Sequence, residues 1–337
     1  MDNVVNLSVE TPTPEDADAL AKLLLAWSDI VPTLYFLDSC SVSRIKDELV
    51  GRQQNEEKHK DHIKLLRTID RQQHGVSCLL VLMEKSSDQT TMRSVGQMKE
   101  EGSRDRSSME QFFSKARVVE SPEVVDQFVA TMHGTHSEEL GDSYHAILTF
   151  ASQLALHQPL APSAKMPVVE KLLMEALRLG VSGGHPIIVT LIAIVYGCTA
   201  ARKVVNFTQD PAKFKSSNAL GDIQSLQRVE SIFSLATSHG GFPYKKARLI
   251  SDDLNLNVLG DILNITCESS DTSGDGISHV MGLKPNLSRL LPDIFNENVV
   301  MEGRSDELFM LTRMMLARPE AWGQVRAKLT GSNTKTG

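Results

Sequence analysis

Three short apolar runs along the chain each stop at an acid. Residues 33–37 read TLYFL and are closed by Asp38. Residues 76–83 read VSCLLVLM and are followed by Glu84, and residues 247–250 run into Ser251, Asp252 and Asp253. Short runs without regular polar alternation are the pattern of strands covered on both faces, as in parallel sheets. The sequence therefore predicts three buried strands, each delivering a carboxylate at its C-terminal end.

Elsewhere the apolar residues recur at helical spacing. Ala17, Leu20, Leu23, Leu24 and Trp27 predict an amphipathic helix over 14–29, begun by a Thr-Pro-Glu-Asp start. A helix follows Asp38 over 39–50, and 53–73 reads as a charged surface helix with Ile63, Leu65, Leu66 and Ile69 on its apolar side. The polar stretch 86–106 leads into GSRDRSS, residues 102–108, which predicts a flexible loop. Helices are expected over 109–117, 124–132, 138–157 and 168–179. The apolar stretch 186–205, opening on Pro186, is expected to form one helix at the centre of this region. A further helix covers 219–236 and a helix or strand 254–265. Residues 267–277 read as a Ser/Asp/Gly-rich loop, and 308–329 as a helix before a disordered GSNTKTG tail.

Composition narrows the class. With 337 residues the chain exceeds one average domain, and 41% hydrophobic with 23% charged residues is ordinary globular balance. The net charge of −7 excludes a global positive field, so a polyanion would need local basic patches or metal. Cys40, Cys78, Cys198 and Cys267 are scattered, and no basic-then-apolar leader opens the sequence, which points to a cytoplasmic location. The apolar run 186–201 is shorter than the roughly 18 to 20 residues of a membrane span, so no membrane partner is expected.

In an open parallel sheet the strand carboxyl ends form the ligand crevice, so acids placed there converge. Several carboxylates stay ionised together only with a compensating hard cation, for which Mg²⁺ or Mn²⁺ suits oxygen ligands. The order LYFLDSCS, LLVLMEKS, GDIQSLQRVESIFSLA and LISDD resembles the PIN-domain family. The resemblance implies an α/β/α sandwich with a central parallel sheet and metal-dependent hydrolysis of RNA, less often DNA. By it, Asp38, Glu84, Asp222 and Asp253 are the catalytic metal ligands, with Asp252 the neighbour of the last. Asp142, opening the amphipathic stretch GDSYHAILTFASQLA, is the alternative third acid.

The implied organisation is an N-terminal helix (1–30), a first part of the PIN-like core (31–100) and a large, mostly helical insertion (101–217). The second part of the core (218–270) and a C-terminal helical segment with its tail (271–337) complete it. The insertion is also a surface for a protein partner or a homo-oligomer. A non-catalytic interaction or regulatory protein with a degenerate acidic site is the competing reading.

Other residues carry weaker signals. Ser39 and Ser251 are placed to bind substrate or to cap helices. Lys245 and Lys246, with Arg248, are expected near the acids, where they could contact a backbone phosphate. His133, His136, His145 and His157 lack zinc-motif partners. GVSGGHP lacks the Lys-Ser/Thr pair of a phosphate loop and reads as a turn between helices. A phosphotransfer aspartate of the haloacid dehalogenase type wants a second Asp two positions after Asp38, where Cys40 stands.

Overall fold

The computed structural model describes residues 30–52, 57–87, 93–134, 140–238, 240–271, 278–295 and 311. The leading helix over 14–29, the closing helix apart from residue 311, and the tail lie outside the described residues.

The first apolar run forms β1 (Thr33–Leu37), buried along its whole length. It pairs in parallel with β2 (Gly75–Ser77) and β4 (Lys246–Ile250), and β2 pairs with β3 (Arg117–Val118), giving the order β3-β2-β1-β4. Because side chains alternate along a strand, β1 feeds two layers. Tyr35 and Leu37 pack with Val42 and Ile45 of α1 (Ser39–Leu49) and with Ile63 and Leu66 of α2 (Glu57–Thr68). Met98, Met109 and Phe112 of α4 (Val95–Phe112) and Val125 and Val129 of α5 (Pro122–Met132) complete that layer. Leu34 and Phe36 face the other way, toward Leu80 of α3 (Leu79–Ser87), Val229 of α10 (Ser216–Ser238) and Tyr244. This is an α/β architecture with a parallel sheet between helices.

Four expectations are corrected. The second apolar run is strand only as far as Ser77, and Leu79 onward is helix, so Glu84 lies on the second turn of α3. A short buried helix and a buried strand are equally apolar, and periodicity does not separate them. GSRDRSS is not a loop but part of α4. Its glycine permits close packing: a Cβ at Gly102 would stand 2.8 Å from Val125 and 2.9 Å from Leu82. Its Asp105 is buried and accepts from Lys46 at 2.7 Å and Lys85 at 2.5 Å. With α4, β3 and α5 in this layer, the sheet half runs on past residue 100. Finally, the supposed loop at 267–277 begins as strand: β5 (Ile265–Asp271) pairs antiparallel with β6 (Ser278–Leu283).

A second, larger core is helical. It joins α6 (Gly141–Ser152), α7 (Pro162–Arg178), α8 (Pro186–Val195), α9 (Thr199–Val205), one face of α10 and α11 (Leu254–Leu263). Every residue of α8 is buried, so this helix is the centre of the region as expected. It does not continue to Val205: the chain bends by 118° between α8 and α9. Gly197 makes the corner at φ +87°, a conformation that L side chains rarely adopt. Among the described residues no single helix is long and apolar enough to cross a membrane. Two one-turn helices, α12 (Leu287–Leu290) and α13 (Pro292–Phe295), close the described chain before residue 311.

Candidate acidic site

The chain leaves β1 for β2 on one side and returns to β4 on the other, which makes the β1–β4 boundary a topological switch point. A crevice opens at the strand carboxyl ends there. Leu37 is in register with Ile250, so Asp38 and Ser251 emerge side by side. The Ser251 hydroxyl donates to Asp38 Oδ2 at 2.5 Å and accepts from the Asp253 amide at 2.9 Å. Asp38 also caps α1, taking the Ser41 amide on Oδ1 at 2.7 Å. Asp253 caps α11 through the Asn255 amide at 2.7 Å. One hydroxyl thus ties together the two strand-end acids.

The other two acids come from helices. Glu84 accepts a hydrogen bond from the Ser39 side chain at the start of α1. Asp222 stands on the second turn of α10, where a Cβ at neighbouring Gly221 would lie 3.7 Å from Glu84 Cγ. The charges of the other three acids converge on Asp222. Burial, followed by the charges of Glu84, Asp253 and Asp38, pushes Asp222 up to about 7. Burial raises Asp38 despite hydrogen bonds from Ser251 and Ser41, and raises Glu84 despite its bond from Ser39. The Cys40 thiol is pushed up to about 12 by desolvation, then by the charges of Asp38, Glu84, Asp222 and Asp252. Of the two candidates for third acid, Asp222 is the one brought to the crevice. Asp142 opens α6, whose His145 lies 3.0 Å from Ser216 at the far start of α10, and it is not among the charges that raise Asp222.

Asp252 turns away from this group. Arg44 Nε donates to it at 2.8 Å, and His59 Nε2 lies 3.4 Å from the same oxygen. Beside them His62 Nε2 is 3.0 Å from the Ser41 hydroxyl, which donates to the Ile250 carbonyl at 3.0 Å. Sequence reasoning missed His59 and His62 because it assigned the helix over 53–73 to solvent, and it gave Arg44 no role. The signal was there: His59, His62, Ile63 and Leu66 share the i, i+3, i+4, i+7 stripe that α2 buries, whereas Leu65 is exposed.

The expectation for the lysines is overturned. Lys246 pairs with Thr33 at the amino end of β1, five residues before Ser251. At about 3.3 Å per residue that places Lys246 roughly 17 Å and Lys245 roughly 20 Å from the acids, at the opposite end of the sheet. Among the described residues the histidines stand apart: His133 Nε2 contacts the Arg93 carbonyl at 2.6 Å and His145 stands on α6, while His136 lies outside the described residues. The GVSGGHP segment is the expected turn, with Gly180 at φ +74° and His185 capping α8. Among the described residues no three His, Cys, Asp or Glu side chains are arranged as a ready-made ion cage. No family model, curated protein or solved structure matches the chain.

Proposed function

We propose that this chain is a metal-dependent phosphodiester hydrolase, with RNA as its substrate, working through Asp38, Glu84, Asp222 and Asp253. One observation carries the reading: at the switch point of a parallel sheet the charges of Glu84, Asp253 and Asp38 act on the desolvated Asp222 carboxyl, which is pushed up to about 7. The donor chemistry fits Mg²⁺ or Mn²⁺, because hard oxygen ligands with excess negative charge are what such ions bind. These four acids would hold the ion, which when bound supplies an activated water and stabilises charge on the leaving oxygen. The chain's own contribution is positional. Ser251 orients Asp38 toward Asp253, Ser39 holds Glu84, and the Asp252–Arg44 pair fastens the β4 terminus to α1.

The test is cleavage of a labelled single-stranded RNA in Mn²⁺ by purified wild-type and Asp38→Asn protein. Loss of at least a hundredfold in rate, with an unchanged circular dichroism spectrum, is expected; an active mutant sinks the proposal. A second reading is a non-catalytic interaction protein built on a degenerate acidic site. Calorimetric titration with Mn²⁺ separates the two, since only the enzyme should show binding that disappears in both Asp38→Asn and Glu84→Gln.

A further inference from the structure

Strand β4 is an edge of the sheet, and a groove of about 590 Å³ runs along it up to Ser251. Ile250 turns its carbonyl toward β1, where it accepts from the Asp38 amide at 3.2 Å. Backbone groups alternate in direction along a strand, so Ala247, Leu249 and Ser251 turn theirs outward, into the groove. The outward Ser251 carbonyl is taken by the Asn257 side chain at 3.0 Å. Among the described residues the outward amides and carbonyls of Ala247 and Leu249 have no partner, although both residues are partly buried. Partly desolvated backbone groups without partners are a template for another strand.

The walls specify what kind. Leu226 and Val229 of α10 form an apolar side. The opposite side is the polar stripe of α11, Asn257, Gly260 and Asp261, while that helix buries Leu256, Leu259 and Ile262 in the helical core. Glu230 and Asp261 outnumber Arg248, the one cation lining the groove among the described residues. This acidic balance disfavours a nucleic-acid strand and attracts basic side chains.

We infer that the β4 edge docks an extended segment of a partner protein in which apolar and basic residues alternate. The apolar row lies on Leu226 and Val229, the basic row faces Asp261, and the backbone pairs with Ala247 and Leu249. This stands independently of the hydrolase proposal.

The probe is a fluorescein-labelled seven-residue peptide of alternating Val and Lys, titrated into the full chain by anisotropy, with hydrogen exchange followed over residues 245–251. Saturable binding is expected, with slowed exchange at the Ala247 and Leu249 amides. N-methylation of the peptide amides facing β4 should weaken binding about tenfold or more, since each lost hydrogen bond contributes a several-fold factor. Asp261→Lys should weaken it several-fold. The inference is overturned if the peptide does not bind at millimolar concentration, or if the N-methylated peptide binds equally well. It is also overturned if oligouridine, or self-association of the chain, protects the two amides in the peptide's place.

Discussion

Replacing Asp222 by Asn tests the electrostatics of the crevice apart from any catalysis. The buried Asp222 carboxyl is raised from 3.8 to about 7. A raised acid binds its proton more tightly folded than unfolded, so between pH 4 and pH 7 the native state holds more protons and stability falls as pH rises. The destabilisation is absent below the unfolded value and complete above the folded one. At about 1.36 kcal/mol per decade, the interval caps the cost at about 4 kcal/mol. Glu84 and Asp38 shift their own protons in response, and the expected gain on removing the charge is therefore about 1 to 3 kcal/mol. Urea denaturation of wild type and Asp222→Asn in EDTA should give matching midpoints at pH 3, below the unfolded value, and a clearly higher midpoint for the mutant at pH 8. Equal midpoints at pH 8, or a gap of the same size at both pH values, would refute the coupling.

Cys40 should report on the same charges: although solvent-accessible, its thiol should react with iodoacetamide far more slowly than a free cysteine at pH 8, and faster in Asp222→Asn. Unchanged alkylation rates across the two proteins would contradict the arrangement. Asp105→Ala should cost about 3 kcal/mol by chemical denaturation, because it leaves Lys46 and Lys85 without their shared buried partner. Gly197→Ala should lower stability by roughly 1 to 3 kcal/mol, since φ is +87° and the new Cβ would stand 2.8 Å from the Asp293 carboxylate. A neutral effect on the melting temperature would mean that the α8–α9 corner is looser than drawn.

Much of the architecture was legible from local pattern. TLYFL closed by Asp38 is strand then helix cap, because an uninterrupted apolar run needs cover on both faces and a following acid satisfies free helix amides. The run into LISDD behaves in the same way, with Asp253 capping α11. Local pattern failed where burial came from neighbours. VSCLLVLM is apolar whether strand or helix, and GSRDRSS is polar because α4 buries Asp105 against two lysines. Between Asp222 and Asp142, both near the start of an amphipathic helix, segment order alone favoured Asp222. By itself, then, the sequence determined β1 and β4, the starts of the helices that follow them and the two strand-end acids, all of which follow from residue order and hydrogen-bonding chemistry over a few positions. Tertiary structure alone decided that α3 and α10 bring Glu84 and Asp222 to Asp38, that Asp252 turns to Arg44, and that Lys245 and Lys246 lie at the opposite end of the sheet. Those outcomes depend on strand order and register, which join residues more than a hundred positions apart.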